Sequence, residues 1–167
     1  MTVDPQNFRS TMSMWASGVA VVTTSDGTVR AGLTVSAFTS LSLSPTLILV
    51  CIDRQSSSLE VIQRTGVFAV NILAEDQAEI SQRFASRRVQ DKFATEQWHR
   101  EATSAPILDG ALAWLDCELC SCYDGGDHLI LIGQVLATGT RTVDSGPLLY
   151  YRGGYQQFEK VRLAYQV

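Results

Sequence analysis

Three stretches of this 167-residue chain carry side chains whose types and spacing could do chemistry. The first is Gly32-Leu33-Thr34-Val35-Ser36-Ala37-Phe38-Thr39-Ser40. A planar heterocycle needs a flat, fairly apolar wall with backbone donors and acceptors along its edge, and side chains as small as Ser36 and Ala37 let that backbone come close. The second is Asp53-Arg54-Gln55-Ser56-Ser57-Ser58. A phosphate needs several N–H and O–H donors, ideally at a helix N-terminus, together with a guanidinium. The third is Gly126-Asp127-His128, where a histidine beside an aspartate at a strand start can orient a ligand or assist proton movement. Each stretch also has a plainer reading: an ordinary strand, a helix cap beside a solvated arginine, and a turn with an exposed histidine. Spacing alone leaves both open.

Other chemistries lack their signatures. No G-x-G-x-x-G follows a strand, and there is no phosphate loop of the G-x-x-x-x-G-K-[ST] type or G-x-S-x-G elbow. Two histidines, His99 and His128, cannot build a histidine-rich metal site. Cys117, Cys120 and Cys122 give C-x2-C-x-C, but they fall in a segment that reads as a strand. Side-chain alternation then puts Cys120 and Cys122 on one face and Cys117 on the other, so three ligands do not converge and no metal is expected.

The elements that must position these residues follow from periodicity. Residues 7–16 predict a short amphipathic helix with Phe8, Met12 and Trp15 on one face. Residues 19–24 read as a strand, Ser25-Asp26-Gly27 as a turn, and residues 31–42 as a long run of small and β-branched residues. After Pro45, residues 47–52 read as a buried strand. Ser56 to Ser58 look like the cap of a helix over 59–65 that Gly66 closes. A strand over 67–73 and a helix over 75–85, with Ile80 and Phe84 on one face, come next. Residues 87–103 read as a polar loop. Residues 112–123 and 129–138 form a hairpin around Asp124-Gly125-Gly126-Asp127, and 148–151 a last strand before an irregular tail. About six strands, two or three short helices and no βαβ alternation predict a mainly β fold, a small barrel with helical decorations.

Bulk properties narrow the partners. The length suits one domain over residues 1–167, and 46% hydrophobic with 18% charged residues is a globular composition. A net charge of −4 and a pI near 5.1 argue against nucleic acid or an anionic membrane, so an anionic ligand needs a local cluster of donors. The N-terminus lacks a signal-peptide pattern, and the longest apolar run, residues 47–52, is too short to span a bilayer; a cytoplasmic protein is expected.

Taken in order, FRSTMSMWASGVAVVTT, GLTVSAFTSLSLSPTLILVCIDRQSSSL, GVFAVNIL, ISQRF, GALAWLDCEL, GGDHLILIGQV and PLLYYRGGY resemble the flavin reductase-like family, whose fold is the FMN-binding split barrel. The resemblance runs from Phe8 to about Phe158 and includes the reductase components of two-component flavin monooxygenases, such as those acting on phenols and styrene. It implies a homodimer that binds FMN or FAD, oxidises NADH or NADPH and supplies reduced flavin to a separate monooxygenase. The family's flavin-edge segment falls on Thr34, Val35, Ser36, Ala37 and Ser40, with Cys51, Ile52 and Asp53 on the next strand. Its phosphate segment falls on Arg54, Ser56, Ser57 and Ser58, with Ser58 where Thr is commoner and Pro45-Thr46 in place of a common Pro-Pro. His128 is implied near the nicotinamide as the catalytic candidate, and Phe84, Arg152 and Tyr155 near the cofactor cleft. The implied reaction is hydride transfer from nicotinamide C4 to flavin N5, with the protein stacking the rings and excluding water. Three alternatives stand beside it: a fixed flavin serving another acceptor, a non-catalytic flavin-binding protein, and an oxidase resembling pyridoxamine phosphate oxidases.

Overall fold

The computed structural model describes residues 2–142 and 144–156, so Phe158, where the resemblance ends, lies outside the described residues. Helix α1 (Pro5–Met12) starts on Asp4, whose carboxylate accepts the N–H groups of Gln6 and Asn7 at 3.1 Å, with Pro5 at the first helical position. It starts and ends earlier than the periodicity predicts, and it has no buried residue: Phe8, Met12 and Trp15 are exposed. Strands β1 (Ser17–Gly18) and β2 (Ala20–Ser25) follow. At the Ser25-Asp26-Gly27 turn the Asp26 carboxylate accepts the Val29 N–H, the Thr28 hydroxyl and the Thr28 N–H, which hold its pKa far below the carboxylate range; Gly27 takes φ 93°.

The 31–42 run is two strands, β3 (Arg30–Val35) and β4 (Phe38–Leu43), broken at Ser36-Ala37. Next come β5 (Thr46–Asp53), α2 (Ser57–Thr65) ending on left-handed Gly66, and β6 (Val67–Ile72). Helix α3 (Ala78–Ala85) is shorter than expected. The segment read as a loop holds β7 (Trp98–His99), which pairs with β8 (Ile107–Leu108). The hairpin is β9 (Ala113–Gly125) with β10 (His128–Thr140); both strands run further into the turn than predicted and β10 ends two residues later, while β9 starts one residue later. Last are β11 (Leu149–Tyr151) and β12 (Gly154–Gln156), the latter in the tail expected to be irregular.

Seven strands form one antiparallel sheet in the order β3-β2-β6-β9-β10-β5-β4. Its two outermost strands are consecutive in the chain, with only Ser36 and Ala37 between Val35 and Phe38. Laid flat, six strand spacings would separate them by about 29 Å, whereas three Cα steps span at most about 11 Å. The sheet must therefore curl until its edges come together, which is a barrel split along the β3–β4 seam. Ala20, Val22, Ile48, Val50, Ile52, Phe68, Val70, Cys117 and Leu131 fill the interior, and α2 adds Leu59 and Ile62. A second core forms where Val19, Val21, Leu73, Phe84, Phe93, Leu108 and Leu148 pack together, so β2 is buried on both faces.

The cysteines depart from simple alternation. Cys117 is buried, and burial pushes its thiol up to about 12; Cys120 and Cys122 are exposed. The β9–β10 register jumps at Cys120, so Cys122 comes opposite the core residue Leu131 and leaves the face predicted for it.

Candidate functional site

A cleft of about 550 Å³ lies between β3, the start of α2 and the segment that leaves α3. Ser56 is the N-cap of α2 and its hydroxyl makes no capping bond; Ser57 is exposed and Ser58 is 3% exposed. The first-turn N–H groups of a helix are not used by the helix itself, and they concentrate positive potential there. Arg87 reaches the cleft from beyond α3 and pairs with Asp53 at 3.0 Å. Lys92 donates to the Gly32 carbonyl at 3.0 Å and the Phe84 carbonyl at 2.7 Å; partial burial lowers its pKa. Phe84 is fully buried, lines the cleft and meets Phe93 edge-to-face, with centroids 5.0 Å apart. Arg87 and Lys92 were not singled out in the sequence, where only the basic run Arg87-Arg88 after a helix marks the place.

The segment from Thr34 to Ala37 passes from this cleft to a second one. Thr34 lines the first, and its hydroxyl donates to the Ser81 carbonyl at 2.6 Å. Ser36, Ala37 and Cys51 line a more apolar groove of about 720 Å³ together with Met12 and Trp15. The Cys51 N–H donates to the Ala37 carbonyl at 2.9 Å, tying the seam to β5. The side chains of Val35 and Ile52 belong to the barrel core, so only their backbone is available to a ligand. Ser40 is exposed on β4.

The hairpin tip stands at the C-terminal end of β5, two residues beyond Cys51. Pairing of β10 with β5 sets His128 directly opposite Asp53. The His128 Nδ1 is 2.8 Å from the Asp127 carboxylate, and this hydrogen bond holds the Asp127 pKa below its ordinary value. Arg54 is engaged with the same tip: Nε donates to the Gly126 carbonyl at 2.9 Å, Nη2 pairs with Asp124, and its backbone N–H donates to the Asp127 carbonyl at 3.1 Å. At the C-terminal end the Tyr155 hydroxyl lies 2.8 Å from the Ser81 hydroxyl, which links β12 to α3. Arg152 adopts φ 51°, donates its N–H to the Ser13 carbonyl and lays its guanidinium 5.4 Å from the Tyr151 ring centre. The fold thus gathers Thr34, Asp53, Ser56, Ser57, Ser58 and Phe84 in one cleft, and Ser36, Ala37 and Cys51 in the adjoining groove. Arg54 and His128 share the tip.

These donors fit an anionic cofactor bearing a flat ring. The α2 start, the uncommitted Ser56 capping position and Arg87 suit a phosphate, and the small residues of the seam border an apolar groove suited to a ring.

Comparison with known proteins points the same way. Residues 12–159 match the family model described as flavin reductase like domain. The chain is 41% identical over 157 residues to the reductase subunit HsaB of a flavin-dependent monooxygenase from Rhodococcus jostii, covering 94% of this chain and 80% of that protein. The crystal structure of nitrilotriacetate monooxygenase component B from Mycobacterium thermoresistibile superposes with a TM-score of 0.88 at 38% identity, covering 92% of this chain and 86% of that one. The NADH:FAD oxidoreductase SgcE6 of Streptomyces globisporus, in complex with NAD and FAD fragments, gives 0.89 at 32% identity, covering 97% and 99%.

Proposed function

Because the chain belongs to the flavin reductase-like domain family, we propose that it transfers a hydride from NADH or NADPH to FMN or FAD and supplies reduced flavin to a separate monooxygenase. It is an oxidoreductase, and flavin and a nicotinamide nucleotide are its reactants. The observation that carries the assignment to particular residues is the β5–β10 register, which stands His128 across from Asp53 at the head of the phosphate-type loop.

On this reading Ser56, Ser57, Ser58 and Arg87 hold the flavin phosphate, with Arg87 also offsetting the Asp53 carboxylate. Backbone groups of Thr34, Val35, Ser36 and Ala37, with Cys51 and Ile52, border the ring, and Phe84 walls the cleft. Bound flavin supplies the ring position, N5, that accepts the hydride. His128, its Nδ1 occupied by Asp127, orients the nicotinamide or its phosphates and need not move a proton. Tyr155, through Ser81, braces the strand that carries Thr34, whereas Ser40 and Arg152 are not among the residues lining the cleft or the groove.

The protein works as a homodimer, a reading supported by apolar side chains left in water: Leu43 is 91% and Trp15 74% exposed. Its four cysteines are unpaired, which suits the reducing cytoplasm, and among the described residues no helix is long and apolar enough to cross a membrane.

Steady-state oxidation of NADH and NADPH with added FMN or FAD tests the function. Saturation in added flavin is expected, because a flavin that must leave binds reversibly. Absence of turnover with every pairing overturns the enzymatic reading. Sedimentation at micromolar concentration checks the dimer, and a species of one chain's mass refutes it.

A further inference from the structure

The composition of Asp53-Arg54-Gln55-Ser56-Ser57-Ser58 makes Arg54 the obvious guanidinium for a phosphate, yet the fold gives it different partners. It contributes three hydrogen bonds to one turn: Nε to the Gly126 carbonyl, Nη2 to the Asp124 carboxylate and its own N–H to the Asp127 carbonyl. Two of these acceptors are the carbonyls of the two-residue bend, Gly126 and Asp127, that delivers His128 into β10, and the third, Asp124, lies just before it.

The tip needs such a tether. Strand β9 is paired with β6 only through residues 113–118; beyond that its one ladder partner is β10. On the far side β10 pairs with β5 as far as the His128–Asp53 pair, where β5 ends. The bend itself, with Gly126 at φ 77°, therefore extends past every strand that could flank it. Arg54, the residue directly after β5, is the side chain that spans this gap. A planar guanidinium with donors in fixed directions can fix the bend's orientation as well as its distance, which an ammonium cannot do. The guanidinium directs Nε and Nη2 at the tip and is not among the residues lining the cleft, whereas Arg87 already stands there.

We propose that Arg54 is a positioning residue for the nicotinamide step: it holds the 124–127 turn so that His128 faces the head of the phosphate-type loop. The inference rests on the placement of the nicotinamide at His128 argued above. Exposed ion pairs contribute little to global stability, so the effect belongs to the site and leaves the melting temperature nearly unchanged.

Steady-state kinetics of the full chain, with NADH and FMN varied in turn, tests this. In Arg54→Ala the KM for NADH is expected to rise about five- to twentyfold, consistent with loss of a charge-assisted hydrogen bond. The KM for FMN should stay within about twofold. Asp124→Ala should give the same pattern more weakly, and Arg54→Lys should restore only part of the loss. The double variant Arg54→Ala/His128→Ala should be no worse than His128→Ala, because both changes act through one imidazole. A rise in the KM for FMN with that for NADH unchanged makes Arg54 a phosphate ligand and overturns the proposal.

The chain has only two histidines, so the imidazole C–H resonances of His128 are readily assigned and report the turn independently of turnover. They should shift or broaden in Arg54→Ala and not in Arg87→Ala. Unchanged His128 resonances in Arg54→Ala overturn the tether. If they move while His128→Ala keeps wild-type kinetics, the tether stands and the nicotinamide reading is what fails, which refutes the catalytic half of the proposal.

Discussion

Gly32→Ala tests whether the wall of the cleft is set by packing. Gly32 lies on β3 under Phe84, and a Cβ there would sit 2.7 Å from Phe84 Cε1, 2.9 Å from Cδ1 and 3.1 Å from the Val22 carbonyl oxygen. Carbon atoms rest at roughly 3.5–4.0 Å, so the ring would have to withdraw by about 0.8 Å or more. It has nowhere to go, because Phe84 is fully buried and its ring is already set edge-on against Phe93. Overpacking of this kind costs about 1–3 kcal/mol, and disturbing the aromatic pair adds up to about 1 kcal/mol. With roughly 2–4 °C per kcal/mol for a domain near this size, the melting temperature should fall by about 2–16 °C. Thermal unfolding followed by circular dichroism measures it, and the KM for flavin should rise because Phe84 lines the cleft. In Gly32→Ala/Phe84→Leu the smaller side chain makes room for the new methyl, so the two losses should be less than additive by about 1 kcal/mol or more. A melting temperature within about 1 °C of the parent, or strict additivity, would refute the packing argument.

Three further changes probe other parts of the molecule. Arg87→Ala should raise the KM for flavin about fivefold, close to 1 kcal/mol for a solvent-exposed charge-assisted contact, and leave that for NADH unchanged; equal KM values for flavin remove Arg87 from the phosphate site. Asp116→Ala should destabilise by about 1.5–3 kcal/mol in urea titration, since this buried carboxylate accepts both the N–H and the hydroxyl of Thr103; a midpoint equal to the parent's refutes that role. Cys117 gives a pH dependence. Its thiol is raised in the folded chain from 9.0 to about 12, so between those values the unfolded chain binds fewer protons and stability falls as pH rises. The urea midpoint should decline above pH 9 less steeply in Cys117→Ala than in the parent, and parallel slopes would contradict the burial argument.

Most of the barrel was legible from composition. The β-branched run of β2, the closure of α2 by Gly66 and the long hairpin all appear where periodicity puts them. The break at Ser36-Ala37 is not visible locally, because neither residue is a strong turn former; it follows from the two sheet edges having to meet. Two-residue strands such as β7 and β8 are too short to show a period. Phe8, Met12 and Trp15 have the spacing of a packed face and are exposed all the same, since periodicity shows that a helix is amphipathic and not what it faces. The face of Cys122 depends on a bulge, and a bulge is defined only by the partner strand. In the site, Ser56 to Ser58 fall at a helix start because capping is local. Arg54 meets Asp124, 70 residues on, and Lys92 meets Gly32, 60 residues back; nothing near either residue in the chain announces its partner.

The double burial of β2 has a consequence for how the molecule opens. Its amides lie between the barrel interior and the core under α3, so no partial unfolding can release one core and spare the other. In deuterated water the amides of Val21, Val22, Thr23 and Thr24 should exchange only with the free energy of global unfolding, while those of α1, which buries nothing, exchange orders of magnitude sooner. The cleft wall formed by β3 and Phe84 rides on that slow-exchanging strand. On the site proposed above, reactants would pass the outer segment that carries Arg87 and Lys92, and the barrel would be the fixed side of the cleft.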